Sequence, residues 1–324
     1  MQNNSPPLRV SIIGFGAVGQ GVATLLQDLP HVEVVAVADS RGVALTPNLG
    51  TLLSRKRAGR PIANSDLTAL EVIRTIEHDI VVEVTPTNIE NGEPGLTHMR
   101  EAIKNRRSIV TSNKGPLVVA FHELVQLARE NDVALRYEAT VGGAMPIINL
   151  VRETLAGNRI LDIMGVLNGT CNYILTRMAE EALDYDQVLS EAQDMGIAEA
   201  DPTYDVMGID TASKVVILAN SFFDKNVTYA DVAVTGIDRI TPDALRLAHQ
   251  RGFAIKLIGE VQELTVSPKM IPIGHPLNVG GTLNAASILT DHAGEITVAG
   301  KGAGSIETAS AIVSDILSIQ KERC

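Results

Sequence analysis

The run EADPTYDVMGIDTASK, from Glu199 to Lys214, sets Glu199, Asp201, Asp205 and Asp210 ahead of one lysine. Carboxylates grouped around an ammonium suit acid–base work on a small polar substrate. A lysine so placed is a candidate to give or take a proton. The ordinary alternative is an i,i+4 ion pair between Asp210 and Lys214 on a solvated helix face, worth only tenths of a kcal/mol. The neighbours argue against it: Ile209, Ala212, Val215, Val216, Ile217, Leu218, Ala219, Phe222 and Phe223 leave the helix almost no polar face. A helix apolar nearly all round is buried. A lysine in it is caught between burial, which disfavours its charge, and carboxylates, which favour it, a tension typical of acid–base groups. Asp201, before Pro202, reads as a turn residue.

A second constellation lies near the N-terminus. IIGFGAVGQG places Gly14, Gly16 and Gly19 in a G-x-G-x-x-G pattern, with Phe15, Ala17 and Val18 between them, after an apolar run and at the start of a helical one. Such glycines allow a tight turn and close approach of a pyrophosphate to the helix N-terminus, whose N–H groups and dipole favour an anion. Asp39 follows twenty residues after Gly19, where an acid is expected to take a ribose 2′-hydroxyl. Ser40 and Arg41 come next, and Arg55, Lys56 and Arg57 form a basic cluster. Asp39 favours NAD. Arg41 with one residue of the cluster could clamp the extra phosphate of NADP, although consecutive charges are commonly a solvated face. The expectation is that both dinucleotides bind, NADP(H) more tightly.

The elements that must carry these residues alternate in the first half. Leu8–Ile13 reads as a buried strand, 17–27 as a helix, and Val32–Asp39 as a second strand. After a polar excursion over 40–64, further strands are expected at 79–85, 108–113 and 133–140, with helices between. This is the pattern of an α/β fold with a doubly wound parallel sheet of Rossmann type. From about Gly142 the pattern changes. Helices are expected over 145–155, 170–181, 185–194 and 210–223, strands over 160–168 and 253–261, a hairpin turning at 292–295, and a closing helix over 305–320. The division expected is 1–140 for the dinucleotide-binding domain, to which the closing segment 301–324 returns, and 141–300 for a second α/β domain.

Composition narrows the partners. A net charge of -11 and a pI near 5.1 disfavour nucleic acid or an anionic membrane, both of which need a basic face. The opening MQNNSPPLRV lacks a leader pattern, and no apolar run approaches a membrane span, so a cytoplasmic protein is expected. Two cysteines, Cys171 and Cys324, form neither a disulfide framework nor a zinc spacing.

Taken together, GFGAVGQG, TSNKGPL, EATVGGAMPII, GVLNGTCNYIL, the Glu199–Lys214 run and GKGAGSIETASAIVSD are such that the sequence resembles homoserine dehydrogenases over nearly its whole length. The resemblance implies reversible hydride transfer between NAD or NADP and the L-aspartate 4-semialdehyde/L-homoserine couple, on the route to threonine and methionine. It implies that Lys214 is the acid–base group, that Glu199 binds the substrate amino group, that Asp210 and, less firmly, Asp205 lie in the substrate site, and that Lys114 is a second active-site lysine. Thr85, Lys114 and Gly302 join the cofactor residues. EATVGGAMP, by itself a glycine-rich loop feeding a helix, matches a monovalent-cation loop, usually for sodium, using Glu138 and the carbonyls of Val141, Gly143 and Met145. The second domain would bind substrate and form a homodimer. A short form is expected, without the C-terminal ACT domain of longer relatives and its feedback control. Cys171 stands where threonine is common, and Ala198 where threonine often precedes the glutamate.

Two rival functions are weighed. An acylating semialdehyde dehydrogenase needs a nucleophilic cysteine activated by histidine; Cys171 is the interior candidate, with no histidine near it in sequence. A non-catalytic dinucleotide sensor would need no buried lysine flanked by acids and commonly carries a basic DNA-binding element.

Overall fold

The computed structural model describes residues 6–322; Cys324 and the start of the N-terminal stretch read for a leader lie outside the described residues. The chain divides into two units, Met1–Thr140 with Gly304–Cys324, and Val141–Ala303.

The first unit is built on β1 (Leu8–Ile13), β2 (Val32–Asp39), β3 (Gly42–Leu45), β4 (Ile80–Glu83), β5 (Ser108–Thr111) and β6 (Leu135–Arg136), in the order β3-β2-β1-β4-β5-β6. All neighbours are parallel except β2 and β3. The strand order reverses between β1 and β4, which makes their carboxyl ends the crevice where a dinucleotide binds in such sheets. Val10, Ile12, Val37, Ile80, Val82 and Val110 are fully buried, because helices on both faces leave no solvated side. These helices are α1 (Ala17–Leu26), α2 (Leu49–Arg57), α3 (Ala69–Thr75), α4 (Gly95–Lys104) and α5 (Lys114–Glu130).

The polar excursion after β2 is more ordered than its composition suggests. The chain turns at Ser40 and Arg41, lays β3 antiparallel on β2 with Asp39 opposite Gly42, and then forms α2, capped by the Asn48 side chain on Thr51 N–H. The strand expected over 133–140 shrinks to β6 and a single turn of 3-10 helix at Glu138–Thr140.

The second unit holds α6 (Ile147–Asn149), β7 (Ile160–Val166), α7 (Gly169–Glu181), α8 (Tyr185–Asp194), α9 (Thr203–Val206), α10 (Ile209–Phe222), β8 (Ala233–Val234), α11 (Pro242–Gln250), β9 (Phe253–Glu260), β10 (Thr265–Pro272), β11 (Leu283–Thr290) and β12 (Glu295–Lys301). Its sheet runs β12-β11-β7-β9-β10-β8, antiparallel except where β8 joins β10. The helix expected over 145–155 is instead α6 followed by a π turn, Leu150–Thr154, in which Leu155 N–H reaches back to Leu150 O at 2.9 Å. In α10 every residue from Asp210 to Asn220 is buried, as its unbroken apolar run requires.

The closing helix α12 (Ser305–Glu322) packs on α1 within the first unit. The approach is close enough that a Cβ on Gly21 would fall 2.6 Å from Ser305 O. Asp315, fully buried on α12, accepts the backbone N–H of Glu138 at 3.0 Å.

Candidate active site

In the first unit the glycine loop has the shape its spacing requires. Gly14 adopts φ +104°, and a Cβ there would lie 2.5 Å from Val84 O; one on Gly19 would lie 2.1 Å from Gly14 O. Both glycines are thus needed for close packing of turn, helix and sheet. Gly16 differs. It is the N-cap of α1, and a Cβ added there meets nothing within 4 Å, so the backbone at the helix start faces open space. An open helix N-terminus without a side-chain cap is a cradle for a pyrophosphate. Phe15 is buried beneath it.

At the end of β2, Asp39 is paired. Its carboxylate accepts Lys56 Nζ at 2.6 Å and Arg41 N–H at 2.7 Å, and Lys56 Nζ stands 6.0 Å from the centre of the Phe15 ring. One member of the basic cluster, Lys56, is therefore turned inward rather than solvated, a choice among the three residues that sequence spacing left open. At the far end of the crevice Thr85 donates to the buried Glu83 carboxylate, and Asn113 Nδ2 donates to Thr85 Oγ1 at 3.3 Å. Asn113 also caps α5 through Gly115 N–H at 3.1 Å, which places Lys114 as the first residue of that helix.

In the second unit Gly208, at φ +81°, turns the chain from α9 into α10 and aims the first turn of α10 at the loop before α7. Lys214 Nζ donates to Asp210 Oδ2 at 2.7 Å and to Leu167 O at 2.5 Å. Asn168, the N-cap of α7, spans the acids: Nδ2 donates to Asp210 Oδ2 at 3.0 Å and to Asp205 Oδ1 at 2.7 Å, while Oδ1 accepts Cys171 N–H at 2.8 Å. Burial, and then the negative charge of Asp210, raise the Asp205 carboxyl above its ordinary pKa, with Asn168 opposing. Asp205, Asp210 and Lys214 thus come together around Asn168, whose role had no signal beyond its place before a helix start. Glu199 does not join this hydrogen-bonded group. Its side chain is exposed, and its carbonyl accepts from Gln193 at 3.1 Å.

Cys171 is sealed. It is fully buried, its Sγ donates to Asp205 O at 3.2 Å, and burial followed by the charges of Asp205 and Asp210 pushes its thiol pKa well up. A nucleophilic cysteine needs the reverse, exposure and a positive neighbourhood that favours thiolate.

The glycine-rich turn after Thr140 is held within its own unit by Met145 N–H on Gly142 O at 2.9 Å and Ala144 N–H on Lys301 O at 3.1 Å. Gly143, at φ +57°, packs so closely that a Cβ would lie 2.5 Å from Gly302 O, which puts Gly302 beside this turn. Glu138 is buried at the end of the first unit. Among the described residues no group of three or more His, Cys, Asp or Glu side chains could hold a metal ion.

A glycine cradle on one unit and a buried lysine among carboxylates on the other are the parts of a dinucleotide-dependent oxidoreductase. The comparisons with known proteins bear on which one. The NAD-binding-domain model of homoserine dehydrogenase matches residues 14–138, and the homoserine dehydrogenase model matches residues 146–317. The chain belongs to the homoserine dehydrogenase family. It is 50% identical to a homoserine dehydrogenase of Methanocaldococcus jannaschii, over 96% of this chain and 98% of that one. An NAD(+)-dependent homoserine dehydrogenase of Pseudomonas canavaninivorans is 35% identical, over 97% and 96% of the two chains. A hyperthermophilic archaeal homoserine dehydrogenase in complex with NADPH superimposes with a TM-score of 0.85 at 28% identity, covering 98% of each chain.

The activity is that of the family: NAD(P)-dependent, reversible hydride transfer between L-aspartate 4-semialdehyde and L-homoserine. Neither rival function finds support, and the state of Cys171 gives the physical reason why the acylating one fails.

Proposed function

We propose that Lys214 is the group that gives a proton to, or takes it from, the reacting oxygen of the homoserine dehydrogenase reaction. Reduction of the aldehyde builds negative charge on that oxygen, and an ammonium beside it, directly or through a held water, stabilises the charge and delivers the proton. The observation that carries the reading is the buried set of Lys214, Asp210 and Asn168, with distances of 2.7 and 3.0 Å. Asp210 holds the lysine in its rotamer through their hydrogen bond. Glu199, on its exposed loop, and Asp205 supply carboxylates for the substrate ammonium, and Lys114 is a second lysine of the reaction.

On the other unit, Gly14, Phe15, Gly16, Ala17, Val18 and Gly19 would hold the pyrophosphate, and Thr85 with Lys114 the nicotinamide end; Gly302 is assigned to the cofactor from the second unit. The dinucleotide supplies the hydride acceptor or donor; the protein places it and moves the proton. Asp39, Ser40 and Arg41 with Lys56 would form the adenosine end. A paired Asp39 repels a 2′-phosphate less than a free one, so NADP(H) is taken to bind more tightly than NAD(H). Relatives of both habits exist, one named for NAD(+) and one solved with NADPH.

The remaining assignments follow the resemblance. Residues 141–300 are assigned to substrate binding and a homodimer, with 1–140 and the closing helix for the dinucleotide. Glu138 with the carbonyls of Val141, Gly143 and Met145 would take sodium; a carboxylate with carbonyl oxygens suits a hard cation. No helix among the described residues is long and apolar enough to cross a membrane, which accords with work in the cytoplasm. A spectrophotometric assay of purified protein with L-homoserine and each dinucleotide tests the whole: reduced dinucleotide should appear with homoserine, and no turnover with either cofactor would refute it.

A further inference from the structure

Lys256 lies in the middle of β9, 4% exposed, and its Nζ donates to Asn172 Oδ1 at 2.8 Å, Thr176 Oγ1 at 3.1 Å and Val279 O at 2.7 Å. All three partners are neutral, and none of the ion pairs among the described residues includes this lysine. Burial pushes its ammonium down to about 8, with the charge of Glu180 opposing. Burying an ammonium without a carboxylate is costly, and an apolar side chain would join strand to helix with less expense in stability. Such a group calls for an account beyond anchoring.

Asn172 and Thr176 stand one turn apart on α7. Asn172 is itself a junction, its Nδ2 donating to Val279 O at 3.2 Å and Leu283 O at 2.8 Å. One turn before it on the same helix is Asn168, tied to it by the Asn172 N–H to Asn168 O bond of 3.1 Å, and Asn168 is the residue that bridges Asp205 and Asp210. Packing and hydrogen bonds share the hold on this side of α7: Leu175 and Asn172 are each 1% exposed. Leu175, Thr176 and Ala179 border an open cavity of about 420 Å³ that Lys256 and Phe253 also line. Beside that opening the ammonium's directional bonds to Asn172 and Thr176 add to the packing in setting the rotation and height of the helix.

We propose that Lys256 is a positioning residue for the reaction, fixing α7 through Asn172 so that Asn168 keeps Asp205 and Asp210 in place around Lys214. The inference rests on the reading of Lys214 as the acid–base group. A displacement of about an ångström in such a site costs on the order of a hundredfold in rate, so Lys256→Met should lower kcat by about tenfold to a hundredfold. KM for the dinucleotide, which binds on the other unit, should stay as it is.

The test measures kcat, both KM values and the melting temperature for Lys256→Met, Asn172→Ala, Thr176→Val, Asn168→Ala and the double variant Lys256→Met/Asn168→Ala. Asn172→Ala should reproduce the loss in kcat, which keeps the test alive if Lys256→Met does not fold. Thr176→Val, which removes an acceptor off the route to Asn168, should turn over near the wild-type rate. The double variant should be no slower than Asn168→Ala alone, because the lysine acts through that asparagine. A lowered melting temperature with wild-type kcat in both Lys256→Met and Asn172→Ala, or losses that multiply in full in the double variant, would overturn the proposal. Lys214→Met separates this failure from the other. If it turns over normally, the reading of the acid–base site fails; if it is inactive while Lys256→Met and Asn172→Ala are normal, only the positioning role fails.

Discussion

Asp210 and Lys214 meet at 2.7 Å on α10 with side-chain exposures of 10% and 7%. The same spacing on a solvated helix would contribute little. Here removal of one partner leaves the other charge buried, at about 3–5 kcal/mol, although an apolar pair of similar volume would be tolerated.

Lys214→Met should therefore lose turnover and melt at a lower temperature, while its dinucleotide affinity stays at the wild-type value. Asp210→Leu/Lys214→Met should recover melting temperature without recovering activity. Steady-state assays, dinucleotide titration and thermal melts check this, and near-normal kcat in Lys214→Met would remove the lysine from the chemistry.

Glu199→Gln should raise KM for homoserine more than it lowers kcat, since a contact to the substrate ammonium is made equally in ground and transition states. The exposed loop position of Glu199 means that the substitution should not change the melting temperature. A collapse of kcat at unchanged KM would give it a different role.

Cys171→Ser should keep most activity. Thiol reagents should modify this position slowly, because the thiol is buried and its pKa is raised by burial and by two neighbouring acids. Mass spectrometry after alkylation of native protein reads the result; rapid labelling at Cys171 with matching inactivation would count against the present site.

The ion pair of Lys56 and Asp39 bears on which dinucleotide is held. Lys56→Ala and Arg41→Ala should each weaken NADP(H) binding by about tenfold, the equivalent of about 1.4 kcal/mol, and alter NAD(H) binding far less. Titration calorimetry with both cofactors decides. Wild-type protein that prefers NAD(H), or mutants with unchanged NADP(H) affinity, would show that Asp39 dominates.

Acid stability offers a check away from the site. His78 is 1% exposed, and burial followed by the Arg107 guanidinium lowers its pKa from 6.5 to about 4. The unfolded chain binds a proton below pH 6.5 that the folded chain refuses, so this contribution is complete above that pH and is lost as pH falls toward 4. At about 1.4 kcal/mol per unit the whole loss is on the order of 3 kcal/mol. His78→Leu should flatten that limb of the stability curve in denaturant unfolding; an unchanged slope would show that His78 titrates alike in both states.

What the sequence determined by itself rests on local regularity. Continuous apolar runs such as 34–38 in β2 announce strands covered on both faces. Glycines at 14, 16 and 19 between strand and helix announce the turn of a dinucleotide fold, and the apolar residues all round α10 announce that Lys214 is buried. Each depends on spacing within a few residues, where backbone geometry dictates which side chains share a face. The tertiary structure alone decided the partners. Asn168 reaches Asp205 across 37 positions, Lys56 reaches Asp39 across 17, and Lys256 reaches Asn172 across 84. The same holds for Cys171, the interior candidate for the rival reading, whose Sγ is closed off against Asp205 O of α9 in the fold. Periodicity tells which side chains turn inward; which of them meet there depends on how separate elements are stacked, and a short range of sequence carries no record of that.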